Sequence, residues 1–157
     1  MSKFSEYVDS LQPSEKALAC EAVVTYLKGL TDEKKKAIRS SKDAYDLLRH
    51  TSIYTEEVVT VLFINQANEV ISEKEVSKGG ITSAFIDNRV ILREALLRNA
   101  VGIIISHNHP SGDPKPSEND RNATDSLRKA CEVMGIKLLD HVIVAGTRYF
   151  SFADENY

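Results

Sequence analysis

An α/β domain built on a mixed sheet with helices packed against it is predicted by three features of this sequence. Two apolar runs, Val58–Ile64 and Val101–Ile105, lack a helical period and are rich in β-branched residues, so they read as strands covered on both faces. Amphipathic helical patterns alternate with these runs along the chain. Turn-forming residues separate the two kinds of segment, as at Lys78-Gly79-Gly80 and Gly146-Thr147. With 157 residues, the chain fits one principal domain able to bury roughly 68–70% of its unfolded surface. The reading places a helical extension at residues 1–41 before an α/β domain at 42–157.

From the N-terminus, Ser14 is positioned to cap a helix over Glu15–Lys28, whose apolar stripe includes Ala17, Leu18, Val23, Val24 and Leu27. Thr31 is placed to cap a second, highly charged helix ending near Arg39, and a third helical run spans Lys42 to Arg49. The pattern then changes to the strand at Glu56–Asn65, with Glu69 to Ser77 as its more exposed partner across a Gln66-Ala67-Asn68 turn. Asp87 or Asn88 can start a helix running to about Asn99, leading into the buried strand Val101–Ser106. Ser117 opens a helix through Met134 with Ala123, Leu127, Ala130, Cys131 and Met134 on its inner side, and Gly135 ends it. Ile136–Ala145 and Arg148–Phe152 complete a terminal hairpin.

Charge and cysteine usage narrow the function classes. A net charge of -3 gives no global attraction to nucleic acid or acidic lipid, and the Lys34-Lys35-Lys36 and Arg39 cluster beside Asp32 and Glu33 reads as a solvated helix face. Cys20 and Cys131 are far apart and without Cys-x-x-Cys spacing, which disfavours both a disulfide scaffold and a thiolate zinc site. No apolar stretch reaches the roughly 18–20 residues of a membrane span, and the first residues lack a signal-peptide core. The expected location is the cytoplasm.

Chemistry concentrates where the second buried strand ends, in Ser106-His107-Asn108-His109-Pro110-Ser111-Gly112-Asp113-Pro114-Lys115-Pro116-Ser117-Glu118-Asn119-Asp120. His107 and His109 lie two apart, so their side chains leave one face while Asn108 points the other way. Asp120 can join them if the Pro/Gly-rich loop folds back. Two imidazoles and one carboxylate form a three-ligand set with an open fourth position, the catalytic rather than structural form of zinc site. Ser117-x-x-Asp120 also fits a capping box, and that role leaves a second carboxylate oxygen free for a metal. His141, in an apolar strand beside Asp140, reads as a structural histidine ahead of a partner to the metal site. Asp113 reads as a loop-stiffening residue.

The spacing His107-x-His109, Ser117 and Asp120 resembles the JAMM zinc motif of JAB/MPN-type metallohydrolases. The fuller stretch from His107 to Thr124 resembles the RadC branch in particular. Glu57 before an apolar strand, Arg93-Glu94-Ala95-Leu96, Asp140-His141-Val142-Ile143-Val144 and Tyr149-x-Ser151-Phe152 extend the resemblance over about residues 42–155. Asn88-Arg89-Val90 and Gly79-Gly80-Ile81 depart from that branch, and residues 1–41 do not resemble the helix-hairpin-helix region of its full-length members.

The resemblance implies a three-layer α/β/α JAB/MPN domain, related in architecture to cytidine deaminases. It implies Zn2+ held by His107, His109 and Asp120, Glu57 as the general base and Ser117 as the stabiliser of the oxyanion. Glu56, one residue away, is the alternative to Glu57. The function that follows is a zinc metalloprotease-like hydrolase of the EC 3.4 type acting on peptide or isopeptide amides. The alternative is a DNA-repair-associated accessory protein that binds DNA or a repair partner without proteolysis, although the composition offers DNA no basic surface. No membrane partner is expected, and the oligomeric state is left open.

Overall fold

The computed structural model describes residues 10–16, 36–79 and 86–157. The chain divides into two compact units, Met1–Lys35 and Lys36–Tyr157. In the first, helix is described from residue 13 to 16. That helix starts one residue before the expected Ser14 cap. Pro13 takes the first helical position, where its missing N–H costs nothing, and the Glu15 carboxylate accepts from Gln12 N–H at 2.8 Å. The remainder of the expected Glu15–Lys28 helix, and Cys20 with it, lies outside the described residues.

Residues 36–39 are extended instead of ending a charged helix. Ala37 bridges Glu69, Val70 N–H donates to the Lys36 carbonyl at 3.0 Å, and Ile38 N–H donates to that of Asn68 at 2.8 Å. Pairing with a distant strand has overridden the local helical propensity of this segment.

The second unit is a five-stranded mixed sheet with helices on both faces. Its elements are α1 (Ser41–Leu48), a 3-10 turn (Arg49–Ile53), β1 (Val58–Ile64), β2 (Val70–Lys78), α2 (Asn88–Leu97), β3 (Gly102–Asn108), α3 (Glu118–Val133), β4 (Lys137–Ala145) and β5 (Arg148–Ser151). The strand order is β2-β1-β3-β4-β5. β3 runs parallel to β4, joined through α3, and the other pairs are antiparallel.

Every residue of β1 and β3 is buried, as their β-branched, unalternating sequences require. Val61, Phe63, Ile103 and Ile105 point to one face, where Ile91 and Ala95 of α2 and Leu127 and Cys131 of α3 cover them. Leu62, Ile64, Ile104, Val142 and Val144 point to the other, beneath Ala44, Tyr45 and Leu48 of α1. The result is a three-layer α/β/α arrangement. Two main-chain hydrogen-bonded capping boxes set helix starts, Ser40 with Asp43 for α1 and Ser117 with Asp120 for α3. Asp87 caps α2 through Arg89 N–H. Met134 departs from expectation: it follows α3 and is 43% exposed, because the helical stripe turns away from the sheet in the last turn. Among the described residues no helix is long and apolar enough to cross a membrane.

Candidate metal centre

The site forms where β3 separates from β1. His107 still pairs with Val59 of β1. His109, two residues on, instead donates its backbone N–H to the Val144 carbonyl of β4 at 2.8 Å. That divergence opens the carboxyl end of the sheet, the position where α/β folds keep their ligands. His107 is 1% exposed, while the side chains of His109 and Asp120 are 14% and 15% exposed, so the cluster has a buried wall and an open mouth.

One ligand atom from each of His107, His109 and Asp120 lies within 4.8 Å of the others. The two Nε2 atoms are 2.9 Å apart, and Asp120 Oδ1 is 3.3 Å from His107 Nε2. Tetrahedral zinc with N and O ligands at about 2.0–2.1 Å places those ligands roughly 3.3 Å from one another. The donor set therefore fits a divalent ion without rearrangement of the main chain.

Hydrogen bonds behind the cluster decide which nitrogens carry protons. The Thr124 hydroxyl donates to the Asp120 carbonyl at 2.6 Å, one turn back along α3. Its oxygen then accepts from His141 Nδ1–H at 2.6 Å. With its proton on Nδ1, His141 accepts at Nε2 from His107 Nδ1–H, 2.8 Å away. His107 Nε2 is left bare and faces the site. His109 reaches the same state by itself, donating Nδ1–H to the Asp113 carbonyl at 2.7 Å. Two bare nitrogens 2.9 Å apart present their lone pairs to one point, an arrangement that could hold a metal ion.

Burial reinforces this neutrality. It pushes the His107 imidazole down to about 4, with His109 adding to the depression and Asp120 opposing it. Burial likewise holds His141 well below the usual histidine range. Phe152 stacks on the His141 ring, with centroids 4.8 Å apart and planes within 5°.

Asp120 serves two masters with two oxygens. Oδ2 accepts from Ser117 N–H at 2.7 Å and from the Ser117 hydroxyl at 2.6 Å, completing the capping box. Oδ1 faces His107. Ser117 thus stands beside the cluster with its single proton on Asp120. Asp113 stiffens the loop through its side chain, which accepts Lys115 N–H at 3.2 Å. Asp140 pins main chain, accepting from His141 N–H, Ala153 N–H and the Ser151 hydroxyl, and leaves the His141 ring to Thr124.

Glu57 sits one residue before β1 and is not part of the three-residue cluster. It lies two positions before Val59, the partner of His107 across the sheet. Glu56, one position away, carries its carboxylate over Gly79, where an added Cβ would meet it at 3.4 Å. Sequence reasoning undervalued His141 and took Thr124 only as the end of a motif. The signal for His141 was its shared parity with His107 on adjacent parallel strands, legible only once the β3–β4 register is known, and Thr124 meets its ring from α3.

The RadC-like JAB domain pattern matches residues 38–157. A UPF0758 protein of Flavobacterium johnsoniae is 42% identical over 123 residues, which cover 78% of this chain and 54% of that protein. A UPF0758 protein of Aquifex aeolicus is 38% identical over 141 residues, covering 89% and 61% respectively. One from Methanococcoides burtonii is 38% identical over 129 residues, covering 81% and 56%. The chain spans about half the length of the curated relatives it matches.

Proposed function

We propose, for a chain that belongs to the RadC-like JAB domain family, that the cluster is a zinc centre hydrolysing peptide or isopeptide amides. The observation that carries the reading is the pair of bare Nε2 atoms of His107 and His109, 2.9 Å apart and flanked by Asp120 Oδ1. Zinc held by His107, His109 and Asp120 would supply Lewis acidity and lower the pKa of a water towards neutrality.

The protein's own residues supply the rest. His141 and Thr124 keep His107 in the tautomer whose Nε2 is free for the ion. Asp113 does the same for His109 through its carbonyl. Glu57 accepts a proton from the attacking water and returns it to the leaving amine, general acid–base work worth about 10²–10⁴-fold in rate. The N-terminus of α3 contributes positive potential where an oxyanion develops. Ser117 joins that role by turning its hydroxyl away from Asp120.

The test is Glu57→Gln assayed against fluorogenic peptide and lysine-isopeptide substrates alongside metal analysis. The expected variant binds zinc as the parent does and loses at least about 100-fold in kcat. A Glu57→Gln protein with undiminished turnover would remove Glu57 from the mechanism.

A further inference from the structure

Between the two histidines lies a residue that the three-ligand reading leaves without a task. Asn108 is completely buried, on the sheet face opposite to His107. Its Oδ1 accepts the backbone N–H of Val58 at 2.8 Å. Its Nδ2 donates to the carbonyl of Glu56 at 3.0 Å and to that of Tyr54 at 3.3 Å. The Val58 N–H and the Glu56 carbonyl belong to the two peptide groups on either side of the Glu57 Cα. A third bond, from Gly79 N–H to the Glu57 carbonyl at 3.1 Å, secures the same segment from β2.

This clamp solves a problem the site creates. β3 must leave β1 so that His109 can turn towards the cluster, and His109 N–H goes to Val144 of β4 when it does. Backbone pairing between β1 and β3 therefore stops at Val59 and His107. The Asn108 carboxamide continues it by one step, offering acceptor and donor from a single planar group. The orientation of that group is fixed by its partners, because Val58 N–H can only donate and the Glu56 and Tyr54 carbonyls can only accept. Serine lacks the second donor, and an ionised aspartate has no donor at all.

We infer that Asn108 is a positioning residue, whose side-chain amide fixes the main chain on both sides of Glu57 and so sets where that glutamate stands relative to His107 and His109. The link runs through one residue of chain in each direction, from Asn108 to both histidines and from its amide to Glu57. Metal ligands and glutamate are thereby held in one frame, although about fifty residues separate them. This inference rests on the reading of Glu57 as the proton acceptor.

The experiment combines Asn108→Ala, Asn108→Asp, Glu57→Gln and the double variant Asn108→Ala/Glu57→Gln, all in the zinc-loaded chain. Two readouts are taken, amide hydrogen exchange over residues 54–59 and turnover of a fluorogenic lysine-isopeptide substrate. Asn108→Ala is expected to speed exchange at Val58 up to roughly tenfold, the loss of about one net hydrogen bond, with zinc stoichiometry unchanged. Its kcat is expected to fall roughly 10- to 100-fold with KM little moved, in the range seen when supports of a metal site are removed. In the Glu57→Gln background the same change is expected to cost nothing further. Asn108→Asp, which keeps the acceptor for Val58 N–H, retains slow exchange there and serves if the alanine variant fails to fold. Unchanged exchange at Val58 in Asn108→Ala, or fast exchange there in Asn108→Asp, overturns the clamp, and an equal kcat loss in both backgrounds overturns its action through Glu57. Full activity in Glu57→Gln alone removes the base instead and takes this inference with it, while the exchange data still report on the clamp.

Discussion

Two carboxylates on the same side of the sheet meet basic neighbours in opposite ways. Glu94 of α2 is 7% exposed in its side chain and touches three fixed positive charges: Arg98 at 2.6 Å, Lys74 at 2.9 Å and Arg93 at 3.0 Å. Those partners, Lys74 foremost, hold its carboxyl down at about 2. Arg98 also donates to the Ser72 hydroxyl and lies over the Phe63 ring, so the network fastens α2 to the sheet. Asp120 of α3 is similarly sheltered, yet beyond its own capping box its nearest side-chain nitrogen is Nε2 of His107, an imidazole that burial keeps from charging. Glu94 is complete within the chain. Asp120 Oδ1 and the Nε2 atoms of His107 and His109 face one another and could hold a metal ion. Permanent charges around a buried acid fasten the scaffold, whereas the imidazoles beside Asp120 leave a group that could hold a metal ion.

That contrast can be sharpened by removing the supports on each side. His141→Leu takes away the acceptor that fixes the His107 tautomer, and metal affinity is expected to weaken roughly 10- to 100-fold by calorimetric titration. Unaltered affinity would show that His141 serves packing alone.

Acid separates the two clusters next. His107 and His141 titrate below their unfolded value near 6.5, so the unfolded chain binds more protons between that value and about 4. Stability of the metal-free protein should therefore be intact above pH 6.5 and fall by a few kcal/mol as the pH drops towards 4. Glu94, lowered to about 2, holds its contribution above its unfolded value near 4.5 and loses it only as the pH falls towards 2. Urea melts of chelated protein at pH 7, 5.5 and 4 measure the first step, and a flat profile across them would contradict it. The smallest effect on the site belongs to Glu94→Gln, which should lower Tm by leaving Lys74 and the arginines without their partner while metal stoichiometry stays the same. Loss of metal in that variant would erase the distinction between the two carboxylates.

Much of this was legible in the sequence. The two buried strands announced themselves because β-branched residues fill both faces, and His107-x-His109 because strand alternation returns side chains to one side. Asp120 was ambiguous between cap and ligand; the capping box is present through Oδ2, and Oδ1 is left facing His107. What escaped was set by contacts distant in sequence. Residues 36–39 obey a bridge to Glu69 that no local pattern encodes. The Thr124–His141–His107 chain depends on parallel register, which a sequence does not print. Asn108 looked like the residue pointing away from the metal, and only the position of Tyr54–Val58 beneath it shows what it holds.

In the proposed metal site, Nε2 of His107 and of His109 and a carboxylate oxygen of Asp120 hold one divalent ion. Metal content per chain, by mass spectrometry on protein loaded with zinc and desalted, tests it most directly when the parent and His109→Ala are compared. One zinc per chain in the parent and none in a folded His109→Ala protein is the predicted result. A parent chain that retains no divalent ion, or a His109→Ala chain that retains as much, would contradict it.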